Sequence, residues 1–161
     1  MKNVVLLPND IKINTPATLP YSIEKEYMRD SILRNISSNL NKKNTVIALL
    51  GDKFSGKTTV LKQFYQQNIY CTGIYFVQND SYKDRVDYIL GEICKQLLPM
   101  CNSKVQEKIS NDVLDYFNAD RIIDAFRKIY LDLCSKARKE GFRYYIIFDG
   151  IDKLSPDVLP N

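Results

Sequence analysis

Six residues of strand length, Thr45-Val46-Ile47-Ala48-Leu49-Leu50, run straight into Gly51-Asp52-Lys53-Phe54-Ser55-Gly56-Lys57-Thr58. Few local patterns constrain a chain as much. An apolar run without polar alternation suits a strand covered on both faces, the setting of a parallel sheet. The residues that follow fit G-x-x-x-x-G-K-[ST], a pattern that requires a strand before it and a helix after it. Gly51 lets the chain leave the strand sharply, and Gly56 removes a Cβ where backbone must approach a ligand. The loop N–H groups and the positive end of a helix from about Lys57 to Gln67 then converge on one point, which suits phosphate oxygens. Lys57 adds a mobile full charge, and the Thr58 hydroxyl is a hard oxygen ligand for Mg²⁺. The candidate phosphate contacts are Gly51, Asp52, Lys53, Phe54, Ser55, Gly56, Lys57, Thr58 and Thr59. Lys53 has two readings, a phosphate contact or a solvated side chain.

The rest of the chain alternates helix and strand. Met1–Pro20 is an irregular lead-in, since Pro8, Pro16 and Pro20 interrupt regular helix. Ser22 is a candidate N-cap for a helix carrying Ile23, Tyr27, Ile32, Leu33, Ile36 and Leu40. Gly73–Val77 is a second strand. Asn79-Asp80-Ser81 can cap a helix with Val86, Ile89, Leu90, Ile93 and Leu97 on one face, closed by Pro99. Met100–Phe117 holds a short helix and loops. Asn118 or Asp120 caps a longer helix with Ile122, Ile123, Phe126, Ile129, Tyr130 and Leu133 on one face, ended by Gly141. Phe142–Phe148 is a third strand, and Ser155-Pro156 can begin another helix. The order implies an α/β domain, a parallel sheet flanked by helices.

Composition removes several classes of function. With 161 residues, 45% hydrophobic and 26% charged, the chain matches one globular domain and not a disordered one. No apolar run reaches membrane-spanning length, so no membrane partner is expected. Histidine is absent, which excludes Ser-His-Asp and Cys-His catalysis. Cys71, Cys94, Cys101 and Cys134 form no Cys-x-x-Cys pair and read as reduced, mostly buried thiols. Ten Lys and Arg stand against five Asp and Glu in residues 1–70, so this half can face phosphate or nucleic acid.

A second motif completes the first. Tyr144-Tyr145-Ile146-Ile147-Phe148 places Asp149 at a strand tip, the Walker B pattern. There Asp149 would hold Mg²⁺ through water, opposite Thr58. A glutamate directly after this aspartate would activate an attacking water, but Gly150 carries no base. Asp152 is the one nearby carboxylate that could substitute, with a surface or capping role as its other reading. ATP and Mg²⁺ are therefore expected to bind, with weak hydrolysis or none.

These residues resemble a family. Leu19-Pro20, Lys25-Glu26-Tyr27-Met28, the loop and the Lys57-Thr58-Thr59 helix start are similar to the AAA+ ATPase domain of origin recognition complex subunits, the fifth subunit above all. Gly73–Val77 with Val86–Leu98, Asp115-Tyr116-Phe117-Asn118 leading to Phe126, and Asp149-Gly150-Ile151-Asp152-Lys153-Leu154 extend the likeness from about Leu19 to Leu159. The resemblance implies an AAA+/ASCE P-loop NTPase fold, with residues 21–161 as its N-terminal portion. On this expectation strands four and five, the helical lid and any winged helix are missing, and the domain is truncated at its C-terminal side. It further implies ATP bound for assembly with other origin recognition complex subunits, contact with DNA through that complex, DNA replication initiation as the role, and a nuclear location. Tyr21 and Tyr27 would then lie near adenine. The alternative resemblance is to STAND-type, NACHT-like switch ATPases of signalling or defence, whose Walker B resembles Asp149-Gly150-Ile151-Asp152. That reading implies a cytoplasmic nucleotide switch.

Overall fold

Ile122, Ala125, Ile129 and Leu133 recur every three or four residues, and all four are buried on one stripe of a long helix. The structure, a computed structural model, describes residues 27–40, 46–78, 82–109 and 118–154. Helices α1 (Asp30–Leu40) and α2 (Lys57–Gln67) precede strand β1 (Thr72–Phe76). Helices α3 (Val86–Leu97), α4 (Ser103–Ile109) and α5 (Ala119–Glu140) lead to strand β2 (Tyr145–Asp149). Among the described residues the result is an α/β arrangement of five α-helices on a two-stranded parallel sheet. The ladder pairs Thr72 with Tyr145 through to Phe76 with Asp149.

Each face of the sheet has its own apolar layer. Tyr75 and Val77 meet Ile89, Ile93, Leu97, Ile129 and Leu133 of α3 and α5. Ile74, Phe76 and Ile147 meet Val60 and Phe64 of α2 and Leu33 of α1. Burial of one such Ile, Leu or Phe contributes roughly 1.5–3 kcal/mol. On the α2 side, Phe64 sets its ring edge against Tyr145 at 5.3 Å between centroids.

The helix ends follow ordinary capping chemistry. The Asn118 side chain accepts from the Arg121 N–H at 3.0 Å, so Asn118, not Asp120, caps α5. Gly141, at φ 72°, closes the other end. Pro99 sits in the 3₁₀ turn Leu98–Met100 that ends α3. Cys94, Cys101 and Cys134 are free thiols. Burial pushes the Cys94 and Cys101 thiols up to about 12, so both stay protonated and chemically quiet. Among the described residues no helix is long and apolar enough to cross a membrane.

Two expectations need correction. The run Thr45–Leu50 is not a sheet strand over its described part, 46–50, where no ladder forms. A parallel strand needs a hydrogen-bonded neighbour and cover on both faces. This segment has cover on one side only. Leu49 leans on the α1–α2 cluster and Ile47 faces Ile36, while Val46 and Leu50 are 96% and 88% exposed. The first helix begins at Asp30, and Tyr27, expected within it, precedes it. The 1–20 lead-in, Tyr21, Ser22, Lys25-Glu26, the cap at 79–81, the acidic-aromatic stretch 115–117 and the start at 155–156 lie outside the described residues.

Candidate functional site

The chain from Gly51 to Thr58 turns tightly because of three local features. The Ser55 N–H donates to the Asp52 carbonyl at 3.2 Å. Phe54, at φ 68°, and Gly56, at φ 88°, both take left-handed backbone. Gly56 then precedes α2, and its carbonyl accepts from the Val60 N–H at 3.0 Å. A side chain at Gly51 would put its Cβ 2.9 Å from Ser55 Oγ. Such a side chain would require the Ser55 hydroxyl to turn aside, whereas Gly56 is needed for its backbone conformation.

The functional side chains of the motif converge. Lys57 folds back so that Nζ donates to the carbonyls of Gly51, at 2.6 Å, and Asp52, at 2.8 Å. Its charge is thereby held across the mouth of the loop. Thr58, in the first turn of α2, donates its hydroxyl to Asp149 Oδ2 at 2.6 Å. Asp149 ends β2, and its carbonyl accepts from the Val77 N–H at 3.0 Å just beyond β1. Two segments 91 residues apart in sequence thus meet at hard oxygen donors, a hydroxyl and a carboxylate. That donor set fits Mg²⁺ chemistry.

The other sequence candidates fall into place around this centre. Thr59 is half-buried in α2. Lys53 lies over the Phe54 ring, 5.3 Å from its centroid, at the exposed loop tip. Asp152 stands exposed in the 3₁₀ turn Ile151–Lys153, and no hydrogen bond among the described residues ties it to the loop. Gly150 has a backbone reason for being glycine. It sits at φ 78°, and a Cβ there would meet Val77 Cβ and Lys153 Cδ, each at 3.3 Å. Two clefts of 310 and 370 Å³ lie beside α1, away from all of these groups.

Sequence reasoning missed one element of the neighbourhood. Gln63 of α2 is 1% exposed. Its Oε1 accepts from the Arg29 N–H at 3.1 Å, and its Nε2 donates to the Tyr27 carbonyl at 3.0 Å. The segment before α1 is thereby laid against the helix that carries the loop. Arg29 Nη2 comes within 3.5 Å of the position a Cβ would take on Gly56. The Tyr27 ring itself is 87% exposed. The available signal was a glutamine between Val60 and Phe64 on the apolar stripe of α2.

Comparison with known proteins changes the family. Residues 27–158 match the family model described as Nephrocystin 3, N-terminal. This match overturns the resemblance to origin recognition complex ATPases. With it go the AAA+ assignment, the role in DNA replication initiation and the STAND-type, NACHT-like switch alternative. The loop pattern that supported those readings is short and local, whereas the family match runs from the segment before α1 past β2. No curated protein matches the chain, and no solved structure does. The matched span includes the loop, the Gln63 contact and Asp149, and by it the chain belongs to the nephrocystin 3 N-terminal family.

Proposed function

We propose that the chain binds a nucleoside triphosphate, ATP, as its Mg²⁺ complex, on a P-loop NTPase type of site. The observation that supports this best is the 2.6 Å bond between Thr58 Oγ1 and Asp149 Oδ2, beside a lysine folded over its own loop. In this reading the N–H groups of residues 51–59 take the phosphate oxygens. Lys57 exchanges the Gly51 and Asp52 carbonyls for phosphate, and Thr58 with Asp149 holds the metal. The bound Mg²⁺ would neutralise phosphate charge and fix the orientation of the triphosphate.

The reading is one of binding with slow turnover. Gly150 follows Asp149, its backbone is left-handed, and Asp152 lies exposed in the turn beyond it. The position directly after Asp149 therefore supplies no base to take a proton from an attacking water.

Calorimetric titration of the 161-residue chain with MgATP tests the proposal. Lys57→Ala should weaken binding by about 100-fold, because it removes a charge-assisted contact worth roughly 1.5–3 kcal/mol. Thr58→Ala should cost about tenfold with Mg²⁺ present and little in its absence. Equal affinity of the parent chain and Lys57→Ala, or no affinity of the parent for MgATP, would remove the reading.

A further inference from the structure

We propose that Arg29 is a second phosphate-binding cation of this site, positioned by the buried Gln63 amide. The inference rests on the phosphate-site reading and adds to it a residue outside the loop motif.

A primary amide buried to 1% exposure is costly unless both its ends are paired. Gln63 pairs both with main chain, Oε1 with the Arg29 N–H and Nε2 with the Tyr27 carbonyl. The Arg29 carbonyl in turn accepts from the Leu33 N–H at 3.0 Å, which starts α1. The Arg29 backbone is therefore held from both sides, by α2 through Gln63 and by α1 through its first turn. Its side chain is left to reach outward.

Where it reaches is specific. The guanidinium lies against Gly56, the residue immediately before Lys57, with Nη2 at 3.5 Å from the Cβ position. Among the described residues no carboxylate forms an ion pair with it. A second full positive charge is thus brought against Gly56, at the last residue of the loop before α2. A guanidinium also offers paired N–H groups that fit phosphate oxygens better than they fit any neutral partner. The ligand chemistry indicated is the phosphate chain itself, not the base.

The test uses inorganic triphosphate and ATP, each with Mg²⁺, titrated into the 161-residue chain by calorimetry. Arg29→Gln should weaken both ligands by about tenfold and reduce the salt dependence of binding. Arg29→Lys should recover part of the loss. Gln63→Met should weaken binding severalfold beside Arg29 and add nothing once Arg29 is already Gln, the coupling expected of a positioning residue. If Gln63→Met does not fold, the Arg29→Gln and Arg29→Lys pair decides alone. The inference is overturned if Arg29→Gln binds triphosphate as the parent does while Lys57→Ala has lost it. It is equally overturned if only ATP weakens, which would place Arg29 at the base or sugar. Loss of neither ligand in Lys57→Ala would instead sink the phosphate site as a whole.

Discussion

Tyr75 and Phe148 are partners in the same ladder, yet Tyr75 is fully buried and Phe148 is 38% exposed. The contrast extends along both strands. Every residue of β1 is buried, whereas Ile147 is the buried member of β2. The cause lies in the helices. α3 and α5 build their layer over β1, and Gln96 of α3 closes its outer edge. The Gln96 Oε1 accepts from the Ile74 N–H at 2.9 Å, and its Nε2 donates to the Ile74 carbonyl at 3.0 Å. A side chain thus stands in for a neighbouring strand. β2 is covered by α2 on one face, and Ile146 and Phe148 on the other stay partly open. One strand anchors the fold. The other carries Asp149 to the loop.

Three substitutions would break or sharpen this division, all read by urea denaturation. Tyr75→Ala should have the largest effect, a loss of about 3–5 kcal/mol, because it empties the centre of the larger layer. Gln96→Leu should cost about 2–3 kcal/mol, since it strands the N–H and carbonyl of Ile74 in a buried position. Phe148→Ala should cost about 1 kcal/mol or less, although it lies opposite Tyr75 in the ladder. Equal losses at Tyr75 and Phe148 would show that both strands share the burden and that the contrast in exposure has no energetic counterpart.

The legible parts of this molecule were those whose signals are local. Lys57 to Gln67 was readable as α2 because the loop motif dictates where its helix starts. Asn118 and Gly141 mark the ends of α5 through capping and left-handed backbone, which depend on a few adjacent residues. Asp149 at the tip of β2 was readable because five apolar or aromatic residues precede it. The illegible parts depend on distant partners. Apolarity marked Thr45–Leu50 as a strand, but only a ladder neighbour makes one, and the run itself does not encode that neighbour. Gln63 and Gln96 carry no local signal that separates them from solvent-facing helix residues. Each instead pairs with main chain elsewhere, and the first of these contacts shifts the start of α1 to Asp30. The family was illegible for a related reason. A phosphate-loop pattern is shared too widely to separate one group from another, and the match over residues 27–158 assigned the chain where the motif misdirected it.

The left-handed turn at Gly150 also has a consequence for how this chain can change over generations. Any other residue there meets Val77 and Lys153 and must adopt a conformation that costs on the order of 1–3 kcal/mol. A glutamate at this position would thus carry a backbone strain and a crowded contact with Val77 that glycine does not. The sequences open to this position are therefore narrower than its place in an exposed turn would imply.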